Sequence, residues 1–409
     1  MMEDVRSLVA KHEKRILDLR CEIHRNPELS GQELKTAALA ASVLQEMGLK
    51  VRTGVGGNGV VAILEGEGRG PCIALRGDMD ALPLEEETGH PCSSMARGVM
   101  HACGHDAHTA ILLGTAFVLS ELRRDLAGTV KFLFQPAEEA NPQGGAPGMI
   151  AEGVLRDPEV DAVFGLHVWP SLKTGTAATR CGTLMGASDR VFLTISGRGA
   201  HGAEPENSVD AIAIAGQVIT ALQTIVSRNT SPLDSVVISL GTIRGGKRYN
   251  VIADEVVLEG TVRTVDPGTR SGMPARIETV ACGIARAMGG ECRMEYVRGY
   301  PPVVNHAELV KKTLPAIAGI LGGENVLLLE KPALVAEDFS FFGAEVPSMF
   351  LWLGCRPEEM PREEMPPLHS SRFLPDVKAI PLGVEILASC ALANLGRCRG
   401  RGGEKPCRK

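Results

Sequence analysis

Residues 101–108 read HACGHDAH and concentrate side chains that can bind a metal ion. Cys103 and His105 stand two residues apart with a glycine between them, so a loop can turn both toward one point. Thiolate and imidazole prefer a transition metal to calcium or magnesium. The alternative is a polar loop that caps the apolar helix after it, with Asp106 as the N-cap. We favour the metal interpretation, which requires further ligands from elsewhere in the chain.

Two adjacent acids, Glu138 and Glu139, come just after the apolar stretch 130–134, which predicts a strand. Consecutive side chains there point in different directions, so the two carboxylates can have different tasks. One can bind a metal ion while the other takes a proton from water as a general base. This pairing suits metal-assisted hydrolysis, and a solvated acidic turn is the alternative.

Two further histidines complete the set of candidate ligands. His167 follows the apolar stretch 163–166, and His369 lies in a loop that Pro366 and Pro367 stiffen. A lone histidine at the end of a strand is more often a core residue. The repeated placement of histidines and carboxylates after predicted strands favours ligand roles here.

The elements that must position these residues alternate between strands and helices. Short apolar runs predict strands over 60–64, 72–75, 130–134, 163–166 and 349–353, and a longer one predicts a helix over 107–122. Such alternation predicts an α/β sheet, in which ligands bind at the carboxyl ends of the strands.

The pattern changes between about residues 187 and 298. Its predicted order is β-α-β-β-α-β, which is typical of a ferredoxin-like module. Because the α/β pattern resumes afterwards, we interpret this module as an insertion. The predicted domains are a discontinuous catalytic domain, 1–185 and 300–395, an inserted domain, 186–299, and a basic, solvated and disordered tail, 396–409. A regulatory or nucleic-acid contact is the alternative for the tail.

Composition excludes several classes of function. The chain has 409 residues, 44% hydrophobic and 22% charged, with a net charge of −6 that argues against a nucleic-acid-binding body. No run of about 18 apolar residues is present, so we expect no membrane span. The charged start predicts a cytoplasmic protein, and the eleven scattered cysteines predict reduced thiols.

Together these motifs resemble the metal-dependent amidohydrolase and metallopeptidase family of aminoacylases and carboxypeptidases. The resemblance is greatest to the branch of hippurate and indoleacetyl-amino-acid hydrolases. The motifs run in order over nearly the whole chain: HRNPEL at 24–29, RGDMDALP at 76–83, HACGHDAH at 101–108, QPAEE at 135–139, GLHVWP at 165–170 and EDFS at 337–340.

The resemblance implies a zinc-exopeptidase-like catalytic domain, a mixed sheet flanked by helices, that holds two divalent ions (zinc, manganese, cobalt or nickel) per subunit. Glu138 matches the general base, and Asp80 matches a carboxylate that orients a metal-binding histidine. Cys103 takes the place of an aspartate that bridges the ions in most of the wider family. The implied metal ligands are Cys103, His105, Glu139, His167 and His369.

The resemblance also implies that the inserted domain is a lid that forms a homodimer or homotetramer. His201 matches a histidine that stabilises the oxyanion, and Asn250 and Arg263 are candidates to hold the substrate carboxylate. The sequence departs from the branch at Glu206, where histidine is usual, and at Ala253, where proline is usual. Both changes bear on substrate specificity.

The function predicted from these features is hydrolysis of the amide bond of N-acyl-L-amino acids, a small-molecule substrate, with no nucleic acid or membrane as a partner. A carboxypeptidase or dipeptidase that uses the same two-metal site is the nearer alternative. A non-catalytic binding protein with the same fold is the more distant one.

Overall fold

The computed structural model describes residues 2–397, which form two compact units. Unit 1 contains residues 2–182, 304–330 and 341–397. Unit 2 contains residues 183–303 and 331–340, so it includes a short segment beyond the predicted insertion of 186–299. The predicted tail, 396–409, lies outside the described residues except for its first two.

The helices of the described chain are, in order, α1 Met2–Arg25, α2 Leu34–Glu46, α3 His105–Glu121, α4 Ala146–Ala151, α5 Ala211–Arg228, α6 Pro267–Ala287, α7 Ala307–Leu321, α8 Ser340–Glu345 and α9 Ala379–Asn394. The strands are β1 Lys50–Val55, β2 Gly59–Glu65, β3 Gly68–Asp78, β4 Leu126–Gln135, β5 Ala162–Lys173, β6 Ala177–Thr179, β7 Gly182–Met185, β8 Ala187–Ser196, β9 Val236–Gly245, β10 Glu255–Thr264, β11 Glu291–Val297, β12 Val303–Asn305, β13 Val326–Leu328, β14 Ser348–Arg356 and β15 Gly396–Arg397.

Unit 1 is built on a nine-stranded mixed sheet in the order β1-β2-β4-β3-β5-β14-β6-β13, with β15 paired to β4. Its centre is parallel, because β3 pairs with β4 and β5, and β5 pairs with β14, all in the same direction. The helices α3 and α9 pack on this centre, and α1 packs on both of them. The carboxyl ends of β3, β4, β5 and β14 therefore lie side by side at one edge, as the alternating pattern predicts.

The central strands are buried on both faces, which explains their continuous apolar sequences. The strand β5 extends to Lys173, so His167 lies inside a longer strand than the apolar run 163–166 indicates. The helix α3 is almost wholly buried and begins at His105, after Gly104 in the left-handed region with φ of 84°. A Cβ atom at Gly104 would lie 2.4 Å from a methyl of Val168, so only glycine fits between Cys103 and His105.

Unit 2 contains a four-stranded antiparallel sheet in the order β11-β8-β10-β9. The chain order β8-α5-β9-β10-α6-β11 gives the ferredoxin-like arrangement that the sequence predicts. The helices α5 and α6 pack on each other and on this sheet. Their buried side chains recur every three or four residues, for example Ile214, Val218, Leu222 and Ile225.

Among the described residues, the helix α5 is long and apolar enough to cross a membrane by length and composition alone. It is amphipathic, however, because Gln217, Thr220 and Gln223 lie on its exposed face while its apolar face covers the sheet of unit 2.

The expectation that all cysteines are reduced is wrong for one pair. Cys21 of α1 and Cys92 form a disulfide with their Cα atoms 5.4 Å apart. Their separation of 71 residues gave no local spacing signal in the sequence. Seven other cysteines of the described chain are free thiols, and four of them are buried.

Candidate active site

Cys103 lies at the centre of the predicted ligand set, at the carboxyl edge of the sheet of unit 1. Its Sγ atom is 3.4 Å from His167 Nε2 and 3.3 Å from His369 Nε2. Cys103 forms one group with His105 and His167 and a second with Glu139 and His369, and within each group the potential ligand atoms lie within 4.8 Å of one another. Two three-residue groups that share one thiol have the composition of a two-metal centre with a bridging cysteine.

His105 is oriented by a buried carboxylate. Its Nδ1 lies 3.1 Å from Asp80 Oδ1, and its Nε2 is buried without a hydrogen-bond partner. A hydrogen bond from Nδ1 to Asp80 fixes the tautomer that leaves the lone pair of Nε2 available to a cation. This unpaired nitrogen, together with the thiol and carboxylate beside it, fits a transition-metal ion.

His167 is oriented by its own strand. Its Nδ1 donates to the carbonyl oxygen of Val168 at 2.7 Å, which leaves Nε2 directed toward Cys103. The adjacent His108 does not take part in the shared-cysteine groups. Instead its Nδ1 lies 2.6 Å from Asp78 Oδ1, and its Nε2 accepts a hydrogen bond from the Val168 amide. His108 therefore braces the strand that carries His167.

His369 differs from the other histidine ligands in exposure and backbone conformation. Its side chain is 54% exposed, whereas those of His105 and His167 are buried. It adopts a left-handed φ of 64°, which is held by a hydrogen bond from its amide to the carbonyl oxygen of Ala102. Strained residues of this kind cluster at functional sites. The ring is directed at Glu139, whose Oε1 lies 3.1 Å from Nε2.

The electrostatics of the cluster favour a cation. Burial raises the pKa of the Cys103 thiol, and the neighbouring Glu139 and Glu138 carboxylates raise it further. Burial would lower the pKa of His105, but Asp78 and Asp80 outweigh it and raise the pKa to about 10. The raised pKa of His105 reflects an excess of buried negative charge around the ring, whereas burial itself is the larger cause at Cys103. Bound cations reverse this balance, because they favour the thiolate and the neutral imidazole.

Glu138 is buried beside these ligands, with 6% of its surface exposed. Its carboxylate lies within 4.8 Å of ligand atoms of His105 and Glu139. The residue before it, Ala137, has a left-handed φ of 56°, and the amide of Glu139 donates to Asp80 Oδ2 at 2.9 Å. The backbone on both sides of Glu138 is thus constrained, which suits a residue that must hold one position.

The three predicted substrate residues all lie in unit 2. His201 is exposed, and its Nδ1 accepts from the Ala203 amide at 3.2 Å. Asn250 neighbours it, since the Asn250 carbonyl oxygen accepts from the Gly202 amide, and Asn250 Oδ1 is buried without a partner. Arg263 lies on β10 in register with Ser188, away from that pair, and burial lowers its pKa. Their roles toward substrate stay predictions.

Several supporting residues carry no ligand signal in the sequence. Arg76 donates to Asp78 Oδ2 at 2.6 Å and to Gln135 Oε1 at 2.9 Å, which ties the ends of β3 and β4 together. Asp106 is not a helix cap but a buried partner of Arg20 and His24, each at 2.7 Å. Arg76 stands in the RGDMDALP motif and His24 in HRNPEL, so the motifs could have located these two, whereas Arg20 lies outside every motif.

The fold and the cluster agree with comparisons to known proteins. The model of peptidase family M20/M25/M40 matches residues 74–393. The chain belongs to this family.

Three similar proteins illustrate the different activities found among its members. The chain is 42% identical to an N-acetyl-L-cysteine deacetylase of Bacillus subtilis over 84% of this chain and 80% of the relative. It is 37% identical to thermostable carboxypeptidase 2 of Saccharolobus solfataricus over 96% and 98%. A crystal structure of a dinuclear metal-binding M20 peptidase of Bacillus subtilis superimposes with a TM-score of 0.81 at 34% identity, covering 94% of this chain and 98% of that one. The chain is therefore a hydrolase of the M20 type.

The shared thiol gives a first prediction. Replacing Cys103 by Ala removes the only residue common to both ligand groups, so we expect the variant to retain the fold but bind fewer ions than the wild type. Metal analysis of the purified protein and its circular dichroism spectrum measure both quantities. Cys390→Ala is the matched control, because that thiol is buried in α9 and outside the groups. An unchanged metal content in Cys103→Ala would exclude the bridging role.

The tryptophans give a second prediction that does not depend on activity. The chain has two, Trp169 and Trp352, which stack with their ring centroids 4.0 Å apart. The Trp169 ring lies 5.9 Å from that of His167. We expect cobalt, an open-shell ion, to quench tryptophan emission saturably, and Cys103→Ala to weaken that quenching. Emission that stays constant while metal analysis shows bound cobalt would contradict the placement of an ion at His167.

Proposed function

We propose that this protein is a metal-dependent amidohydrolase that cleaves the amide bond of N-acyl-L-amino acids to a carboxylate and a free amino acid. The observation that carries the proposal is the buried Glu138 carboxylate beside two ligand groups that share Cys103. The similarity to an N-acetyl-L-cysteine deacetylase supports the substrate class.

The proposed mechanism assigns metal binding and proton transfer to different residues. Two divalent ions bound by Cys103, His105, Glu139, His167 and His369 would supply Lewis-acid activation of a water molecule and of the amide carbonyl. Glu138 accepts the proton of the attacking water on a carboxylate oxygen. It then donates this proton to the nitrogen of the departing amine, which leaves as the free amino acid.

Other side chains and a backbone carbonyl would orient the metal ligands and bind the substrate. Asp80 and the Val168 carbonyl hold the imidazoles of His105 and His167 in fixed tautomers. In the proposed mechanism His201 stabilises the oxyanion, and Asn250 and Arg263 hold the carboxylate of the substrate. Zinc, manganese, cobalt and nickel all suit a donor set of thiolate, imidazole and carboxylate.

The proposal also covers the oligomeric state of the protein and its location in the cell. We propose a homodimer or homotetramer formed through the inserted domain, and a cytoplasmic location. The Cys21–Cys92 disulfide argues against a cytoplasmic location, because the cytosol keeps most thiols reduced.

A carboxypeptidase or dipeptidase activity is the second candidate, and the similarity to thermostable carboxypeptidase 2 favours it specifically. Both activities use the same metal centre and general base, so they differ only in the acyl group that the pocket accepts.

Substrate comparison separates these two candidates. We expect the metal-loaded protein to hydrolyse N-acetyl-L-cysteine or N-benzoylglycine with a higher kcat/KM than dipeptides such as Gly-Leu. Release of free amino acid from each substrate measures this ratio, with protein reloaded separately with each of the four metals. A consistent preference for dipeptides would replace the amidohydrolase assignment by the peptidase.

Substitution of the general base tests the mechanism. Glu138→Gln keeps the size of the side chain but removes its basicity, so we expect turnover to fall roughly 10²- to 10⁴-fold while both ions stay bound. Glu139→Gln is the matched control, because loss of a ligand should lower metal content instead. Near wild-type turnover in Glu138→Gln would exclude this residue as the base.

A further inference from the structure

The backbone around Glu138 is held at two amides by two different buried carboxylates. The Glu139 amide donates to Asp80, as described above, and the Ala137 amide donates to Glu33 Oε1 at 2.8 Å. Asp80 also contacts a proposed ligand, His105, whereas Glu33 lies far from the ligands in sequence and belongs to none of the ligand groups. The position of Glu33 therefore requires its own explanation.

Glu33 is fully buried between α1 and the start of α2, with 0% of its surface exposed. Its Oε1 accepts from the amides of Gly31 and Ala137, and its Oε2 accepts from Asn58 Nδ2 at 3.1 Å. All three of these donors are uncharged. Burial of a carboxylate destabilises the folded protein unless such bonds satisfy it, so a neutral side chain would serve better if only packing were required.

The conformation of Ala137 explains what Glu33 stabilises. A left-handed φ of 56° is unfavourable for a residue with a Cβ atom, because the Cβ atom comes too close to the following carbonyl oxygen. The bond from its amide to Glu33 offsets that cost. Without this bond Ala137 can relax to a right-handed or extended φ, which rotates the peptide unit that leads into Glu138.

The same relaxation should leave Glu139 in place. Its amide stays bound to Asp80, and Asp80 is itself fixed by Ser30 Oγ at 2.6 Å. Loss of Glu33 should therefore move the general base more than it moves the neighbouring ligand.

We propose that Glu33 is a positioning residue that sets the orientation of Glu138 through the Ala137 amide. This inference rests on the proposed function, because it assumes that Glu138 is the general base. It adds a residue from the loop between α1 and α2 to the catalytic apparatus, although that residue touches neither substrate nor metal.

Three substitutions of Glu33 test the inference. Glu33→Ala removes the bond, and Glu33→Asp keeps the charge but withdraws the carboxylate by one methylene from Ala137. We expect both to lower kcat on the order of tenfold to a hundredfold, with KM and metal content near wild type, because small misplacements of a reacting group have effects of this size. Glu33→Gln keeps an acceptor at the same length, so it should retain most of kcat.

Asn58→Ala is the matched control, because it removes the bond to Oε2 without touching the bond to Ala137. It should lower the melting temperature but leave kcat near wild type. If Glu33→Ala does not fold, the comparison of Glu33→Asp with Glu33→Gln decides. Wild-type kcat in Glu33→Asp, equal losses in Glu33→Asp and Glu33→Gln, or a loss of metal in parallel with kcat would overturn the inference.

Glu138→Gln, assayed in the same series, distinguishes failure of the positioning role of Glu33 from failure of the proposed general base, Glu138. If Glu138→Gln is inactive and Glu33→Asp is not impaired, only the positioning role of Glu33 fails. If Glu138→Gln itself turns over normally, the proposed mechanism fails with it.

Discussion

The carboxylate of Asp80 is the contact on which the active site depends. It lies at the carboxyl end of β3 and joins three other segments: the ring of His105 at the start of α3, the amide of Glu139 after β4, and the hydroxyl of Ser30 between α1 and α2. These segments are distant in sequence, and Asp80 connects all three of them. Burial raises the free energy of the ionised carboxylate, and its hydrogen bonds to His105, Ser30 and Glu139 lower the pKa below its usual value.

Asp78 is a second buried carboxylate that orients neighbouring side chains, in its case His108 and Arg76. Burial would raise its pKa, but Arg76, His105 and His108 together hold it well below the usual range. Through His108 it reaches the amide of Val168 and therefore the strand that carries His167. Candidate ligands of the cluster are thus held by a layer of buried, ionised carboxylates, Asp78 and Asp80. This layer is more sensitive to substitution than an apolar core, because removing one charge leaves its partner buried and unpaired.

The sequence predicted those parts of the site that depend on residue type and strand order. The alternating pattern predicted that Glu139 and His167 lie at the shared edge of parallel strands, whereas the full ligand set with Cys103, His105 and His369 came from the family resemblance. It did not predict Arg76, Glu33 or the disulfide, since these act through contacts between segments far apart in the chain. Nor did it predict that β5 continues to Lys173, because His167 and Pro170 interrupt the apolar pattern there. The organisation of 187–298 was predicted better, since a ferredoxin-like module is defined by local periodicity and chain order.

The Cys21–Cys92 disulfide separates the site into two classes of residue. The covalent loop that it closes contains Ser30, Glu33, Asp78 and Asp80, which orient other groups, whereas all five proposed metal ligands lie beyond residue 92. A cross-link over 71 residues restricts the unfolded chain and stabilises the folded one by about 4 kcal/mol in the chain-entropy model. Part of the set of orienting groups therefore lies within the covalent loop. His108 and the Val168 carbonyl, which orient or brace His167, lie outside it with the proposed metal ligands. Reduction of this disulfide would therefore lower the free energy of unfolding, because the unfolded chain would regain the freedom that the cross-link removes.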